Sequence, residues 1–218
     1  MLDWGIIVHY FPFLLQGTVM TLKISVIALF FGFIIGLLAA LLKLSPNVIL
    51  RQTGAFYVWI IRSTPLLVQL FLIYFGLPQL GIDLGPFMSG VLALAINTGA
   101  YNAETIRGGI ISVPTGQMEA ARSLGMGPTL TMRRIILPQA FRMAIPALGN
   151  NFVILIKDTS LVSTITLVEL TLTTQRLIGS TYKPFEMYLM AAFLYAILTT
   201  TTSVLLGKLE NRIAVERR

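Results

Sequence analysis

The chain has 218 residues, 56% of them hydrophobic and 11% charged, with a formal net charge of +7 and a mean hydropathy of +0.82. Soluble domains carry roughly 25% charged residues, so this composition excludes an ordinary water-facing surface and points to lipid. Cysteine is absent and His9 is the sole histidine. Disulfides, thiolate metal sites and Cys or His nucleophiles are thereby excluded.

In chain order, the first 22 residues contain no lysine or arginine, and the first cation is Lys23. The start therefore lacks the basic region of a signal peptide, and no cleaved segment is expected. Trp4 and Tyr10 suit an interfacial anchor, and Lys23 can snorkel to the interface. Five apolar stretches follow, at about 20–42, 55–77, 87–106, 141–158 and 187–206, each near the roughly 17–25 residues that a span requires. They predict an all-α membrane protein with five transmembrane helices and one domain covering 1–218. Gly32-x-x-x-Gly36 in the first span is a small-residue packing motif. Leu161–Thr174 is β-branched but too short and polar to span, and reads as an outer loop partly buried at a subunit contact. The Thr199–Ser203 cluster in the last span suits polar glue between helices.

Cations set the orientation. Lys43 and Arg51 follow the first span, and Arg107, Arg122, Arg133, Arg134 and Arg142 cluster after the third. Lys208, Arg212, Arg217 and Arg218 end the chain. The positive-inside rule then predicts the N-terminus outside and the C-terminus inside, as an odd number of spans requires. Arg176 and Lys183 fall on the outer side, two cations against eleven. The same asymmetry accounts for the net positive charge without nucleic acid.

The segment 107–140 is polar and regularly punctuated. Val113-Pro114 breaks the chain, a short helix can start at Thr115–Glu119, and Met118, Ala121 and Leu124 form a narrow apolar stripe. Gly125 and Gly127-Pro128 end it, and a basic helix then leads to Pro138. Read from the residues alone, this is either a solvated helical connection or a docking element. No G-x-x-x-x-G-K-[ST] phosphate loop occurs anywhere, so the chain cannot bind ATP in that way. No nucleophile–base or metal-ligand constellation is present to make an enzyme.

The spacing Glu119-Ala120-Ala121, Gly125, Ile135-x-Leu137-Pro138 resembles the EAA loop of binding-protein-dependent ABC importer permeases. Gly17-x-x-x-Thr21-Leu22, Arg62-Ser63-Thr64-Pro65-Leu66-Leu67, Tyr101-Asn102-Ala103-Glu104, Arg107-Gly108-Gly109-Ile110 and Lys157-Asp158-Thr159-Ser160-Leu161 are similar to the polar amino-acid permeases of that family. The resemblance covers nearly the whole chain. It implies a multi-pass permease of the bacterial inner membrane that takes up amino acids by alternating access. Glu119, Ala120, Ala121 and Gly125 would form a cytoplasmic coupling helix. Two ATP-binding cassette subunits, which bind the Mg-ATP that this chain does not, a second permease copy or related permease, and an extracytoplasmic amino-acid-binding protein would complete the assembly. The alternative is an autonomous channel or ion-coupled secondary transporter, which would work without an ATPase.

Charges inside a span cost roughly 2.5–3.5 kcal/mol at the bilayer centre on insertion scales and must face protein or a cavity. Two readings stand side by side. Arg62–Glu104 and Lys157–Asp158 could pair to hold helices, with Asn97 bonded to a neighbour. Alternatively, the set Arg62, Ser63, Thr64, Leu67, Asn97, Glu104, Asp158 and Ser160 includes the lining of an amino-acid path. A zwitterion needs donors for its carboxylate and acceptors for its ammonium, and Arg62, Ser63, Thr64, Asn97 and Asp158 supply both.

Overall fold

The computed structural model describes residues 4–215, all of whose regular elements are helical. Helix α1 runs Trp4–Leu44, α2 Val48–Ser63 and α3 Leu66–Phe71, the last extended by a π-helical turn at Leu72–Gly76 and a 3-10 turn at Leu77–Leu80. Then come α4 Gly85–Ile111, α5 Thr115–Ser123 and the single turn α6 Pro128–Thr131, joined through another π-helical turn (Met132–Ile136) to α7 Leu137–Asp158. A 3-10 segment Thr159–Ile165 leads to α8 Leu170–Thr181 and α9 Pro184–Val215.

Two of these elements, Gly5–Leu44 and Pro184–Arg212, are long and apolar enough to cross a membrane by themselves. A third candidate is broken: Val48–Ser63 and Leu66–Leu80 pass together but meet at 104°. The bend falls at Thr64-Pro65, because Pro65 brings no amide to continue the ladder and forces Thr64 into extended backbone (φ −116°, ψ 142°). Helix α4 is long but studded with Asn97, Thr98 and Asn102, and half of it is buried against other helices. It is the central strut of the bundle.

Helix α1 begins about sixteen residues earlier than the span expected at 20–42. The added arm has a tertiary reason, since Ile6, Ile7, Tyr10, Phe11 and Leu14 pack with Leu170, Met187, Met190 and Leu194 of α8 and α9. Tyr10 thus packs into a protein cluster. The side chain of Trp4 and the tail cations Arg217 and Arg218 lie outside the described residues.

Close approach of α1 and α4 rests on Gly32 and Gly36, as small-residue packing predicts. A Cβ on Gly36 would lie 2.7 Å from Cβ of Asn102 and 3.0 Å from the Gly99 carbonyl; one on Gly32 would meet the Ala95 carbonyl at 3.1 Å. Further toward the loop between α4 and α7, the two helices cross where a Cβ on Gly109 would be 2.7 Å from the Ala140 carbonyl.

The stretch read as an outer loop, Leu161–Thr174, is ordered into the 3-10 segment and the start of α8. Its organiser is Glu169, fully buried. The carboxylate accepts from the Leu172 amide (2.9 Å), capping α8, and from Tyr195 Oη (2.9 Å) and Thr21 Oγ1 (3.3 Å). One side chain thereby joins α1, α8 and α9.

Two outcomes follow from this packing. Gly36→Val forces α1 and α4 apart and should lower stability by about 1–3 kcal/mol, read as a drop in the thermal midpoint of the detergent-purified protein. Gly207→Ala, inside α9 where an added Cβ meets nothing within 4 Å, should leave it unchanged or raise it slightly, by about 0.5–1 kcal/mol of helix propensity at most. Glu169→Ala strips an acceptor from three donors and should cost about 1–3 kcal/mol in the same assay, whereas Glu169→Gln, which keeps one carbonyl oxygen, should recover part of the loss.

Candidate functional site

The bend between α2 and α3 opens a cavity of about 540 Å³ against α4 and α7. Its wall is built from Arg62, Ser63, Thr64, Pro65 and Leu66 at the break, Asn97, Thr98 and Tyr101 of α4, and Asn151, Ile154, Leu155 and Asp158 of α7. Five of the eight path residues expected from the sequence, Arg62, Ser63, Thr64, Asn97 and Asp158, meet here. Leu67, Glu104 and Ser160 are not among the lining residues. Leu67 packs against the apolar cluster of Leu70, Val91, Leu94 and Val162 instead.

Arg62 and Asp158 are in no ion pair among the described residues. The Arg62 guanidinium lies 5.2 Å from the centre of the Tyr101 ring, an electrostatic contact that leaves its N–H edges available. Asp158, at the start of the 3-10 segment, caps no amide with its side chain. Neither the Arg62–Glu104 nor the Lys157–Asp158 pair forms.

Glu104 belongs to a separate cluster. Lys43 at the end of α1 bonds its Oε1, and Arg107 Nη2 and Nε donate to Oε2 at 2.8 and 3.1 Å. These charges tie α1 to α4 beside the segment that leads to α5, and give Glu104 a structural partner set.

Asn97 is nine-tenths buried and its Nδ2 donates to Gln69 Oε1 at 3.0 Å. Asn97 therefore bonds a neighbouring helix and also lines the cavity. Gln69 was not among the expected site residues. Its Nε2 donates to the Ile61 carbonyl (2.7 Å), the Thr64 carbonyl (3.0 Å) and Thr64 Oγ1 (2.9 Å). Asn151 was missed too; it reaches from the cavity wall to Asn102 Oδ1 (3.0 Å) and Thr105 Oγ1 (3.2 Å). The available signal was polarity inside apolar runs, LLVQLF for Gln69 and Asn150-Asn151 at the middle of the fourth stretch.

The second site is the loop between α4 and α7. Helix α5 occupies Thr115–Ser123 and stops in a Schellman turn: the Met126 amide donates to Ala121 O (3.0 Å) and the Gly125 amide to Arg122 O (2.9 Å). Gly125 sits at φ +77°, which a Cβ would strain. Of the expected stripe, Ala121 is buried and Met118 packs beside Val113, Ile136 and Ala140. Leu124 instead stands 82% exposed at the tip, since the Schellman turn swings it off the buried face. Glu119 and Ala120 are also exposed. Among the described residues no group of His, Cys, Asp and Glu could hold a metal ion.

Comparison with known proteins agrees with this architecture. Residues 32–215 match the family described as the binding-protein-dependent transport system inner membrane component. The nopaline transport system permease protein of Agrobacterium fabrum is 45% identical, over 93% of this chain and 88% of that one. The glutamine transport system permease protein of Escherichia coli is 40% identical, over 98% of each. Among solved structures, an amino acid ABC transporter crystallised with histidines is 44% identical and superposes with a TM-score of 0.93, over 97% of this chain and 99% of that one. An inward-facing methionine ABC transporter, at 22% identity and a TM-score of 0.80, shares the fold. With a bent helix pair, a polar cavity and a capped surface helix in a chain so closely matched, the protein belongs to the binding-protein-dependent transport system inner membrane components and is an ABC-importer permease subunit.

Proposed function

We propose that the chain carries amino acids through the cavity at the α2–α3 break. The observation that carries this reading is the presence of two charges of opposite sign, Arg62 and Asp158, in the lining of one cavity and in no ion pair with each other or with other described residues. Holding such charges away from water is costly, and a purely structural wall would be apolar. An α-carboxylate matches the planar donor fork of Arg62, and an α-ammonium matches the Asp158 carboxylate. Ser63, Thr64 and Asn97 add neutral donors and acceptors. The carboxyl-and-amino cargo named for the relatives above supports the same class.

Five spans, with the N-terminus outside and the C-terminus inside, fit this role. Helices α4 and α7 would then be protein-lined spans, their polar residues turned to the bundle and the cavity, and the basic 107–140 segment would lie in the cytoplasm. The cavity is open along one side of a single chain, and its Arg62–Pro65 edge is exposed, which suits closure by a second permease, identical or related. Two ATP-binding cassette subunits, holding Mg-ATP, would dock on α5 through Glu119, Ala120, the exposed Leu124 and the Gly125 turn. An extracytoplasmic amino-acid-binding protein would deliver the cargo, and alternating access would follow from movement of α5 as a rigid element.

The cavity assignment is tested with Arg62→Gln and Asp158→Asn in the complex with its ATPase subunits, reconstituted in proteoliposomes. Each should cut ATP-driven uptake of radiolabelled amino acid by roughly tenfold or more while the subunits still co-purify. Uptake at the wild-type rate in assembled complexes would remove the cavity from the path; loss of assembly would make both residues helix glue.

The coupling assignment has its own outcome. Gly125→Ala should cost about 1 kcal/mol locally through the positive φ, and Glu119→Lys reverses a charge on the exposed face. Both variants should insert in the membrane, yet release the ATPase subunits or hydrolyse ATP without uptake. Normal uptake by both would mean that α5 is only a connection.

A further inference from the structure

The break that forms the cavity wall creates a hydrogen-bonding problem, and its solution singles out one residue. The last turn of a helix leaves carbonyls without amide partners, and Pro65 supplies none to the helix behind it. In α2 the Ile60 carbonyl accepts from Thr64 Oγ1 at 2.9 Å, and the Ile61 carbonyl from Gln69 Nε2 at 2.7 Å. The same Gln69 amide group also bonds the Thr64 carbonyl and hydroxyl. Its carbonyl end accepts from Asn97, and the side chain is buried. Gln69 therefore spans the bend from the far arm to the near arm and fastens both to α4. Among the described residues the Arg62 and Ser63 carbonyls receive no such donor, and both residues line the cavity.

Resting on the reading of the cavity as an amino-acid path, we propose that Gln69 is the positioning residue of that site. Its carboxamide fixes the Ser63–Pro65 break so that Arg62, Ser63 and Thr64 face the cargo. By closing the Ile61 and Thr64 carbonyls it leaves those of Arg62 and Ser63, at the electronegative end of α2, to accept from the cargo's α-ammonium beside Asp158. Gln69 is absent from the cavity lining, so its effect passes through the break and through Asn97.

A glutamine is suited to this position for a geometric reason. Residue 69 is four places after Pro65, and its backbone amide closes the first turn of α3 on the Pro65 carbonyl at 3.2 Å. From there a side chain needs two methylenes of reach, a two-hydrogen donor for the near arm and an acceptor for α4. Glutamate lacks the donor, and methionine lacks both functions at a similar length.

The test is equilibrium binding of radiolabelled L-glutamine, L-histidine and L-arginine to the purified permease–ATPase complex, with each deaminated acid as competitor. The wild type should bind at least one of the three and strongly prefer it over its deaminated form. Gln69→Met should co-purify with the ATPase subunits, bind that amino acid roughly tenfold more weakly, and lose much of its preference for the amino form. Loss of selectivity is the informative readout, because simple loosening of the bundle would weaken both competitors alike. If Gln69→Met does not assemble, Gln69→Glu keeps the size and the acceptor for Asn97 but has no donor for the carbonyls, and the same loss is expected.

Wild-type affinity and selectivity in either variant would overturn the proposal, as would weakening with selectivity intact. Arg62→Gln and Asp158→Asn are run beside them. If those two abolish binding while Gln69→Met does not, the cavity stands and the clasp is wrong. If none of the four changes binding, the cavity reading itself fails, and the clasp with it.

Discussion

A polar group that cannot reach water must find its partner in protein, and this constraint shapes the bundle around α4. Lipid offers neither donors nor acceptors, yet α4 carries Asn97, Asn102 and Glu104 along its length. Each is answered from a different helix. Asn97 bonds Gln69 of α3, Asn102 accepts from Asn151 of α7, and Glu104 pairs with Lys43 of α1 as well as with Arg107 one turn on. Even the α4 backbone is bridged, the Tyr57 hydroxyl donating to the Ile96 carbonyl at 2.7 Å. The small residues Gly32, Gly36 and Gly99 let the helices come close enough for these bonds to form. Glycine spacing and polar pairing are therefore parts of one arrangement: the first sets the distance and the second fixes the register. Asn102 Nδ2 is the one buried side-chain polar atom without a partner among the described residues, and its residue lies at the close α1–α4 crossing, where a Cβ on Gly36 would be 2.7 Å from the Asn102 Cβ.

How much of this was legible in sequence depends on whether the deciding contact is local. Helix ends were readable because their signals lie within a few residues. Gly125 after Ala121 announces the turn that ends α5, whereas the stretch expected to span at 55–77 is broken at Thr64-Pro65. Arg62, Ser63, Thr64, Asn97 and Asp158 could be singled out by charge and polarity at stations where apolar residues would be cheaper, but their meeting in one cavity is visible only in the fold. Glu104 did not follow, since its partner Lys43 is 61 positions away and sits in what reads as an ordinary basic loop. Glu169 was hidden for the same reason. Its partners Thr21 and Tyr195 come from the two ends of the chain, and nothing in the β-branched run around it signals that three helices meet there.

The N-terminal arm of α1 and the exposure of Leu124 show the same limit from the apolar side. Periodicity reports which residues share a face, but it does not say what covers that face. The arm Trp4–Gln16 is helical because α8 and α9 pack beside it. Leu124 has the spacing of Met118 and Ala121, yet it belongs to the Schellman turn, where helical periodicity no longer determines direction. An apolar residue placed at the tip of a surface turn gains nothing from the fold of its own chain, which is why it suits a subunit contact.

The cavity and the loop carrying α5 are connected by the helices that hold both. Helix α4 presents Asn97, Thr98 and Tyr101 to the cavity and ends at Ile111, about 20 Å further along at 1.5 Å per residue, shortly before α5 begins. Helix α7 starts at Leu137, where that loop ends, and finishes at Asp158 in the cavity lining. Near the loop the two are locked together: Gly109 lies against the Ala140 carbonyl and the Ala144 side chain, with no space for one more carbon atom. Close-packed contacts of this kind slide or separate as units and do not compress. In the proposed mechanism, a shift of α5 therefore cannot be absorbed at its own hinge. It must rotate the α4–α7 pair together, and their far ends carry Asn97 and Asp158 with them. Arg62 stands on the separate α2 arm, held to α4 through Gln69 and Asn97. So tethered, Arg62 moves with Asn97 and Asp158, and in the proposed mechanism the charged lining shifts as one unit against whatever closes the cavity along its exposed Arg62–Pro65 edge.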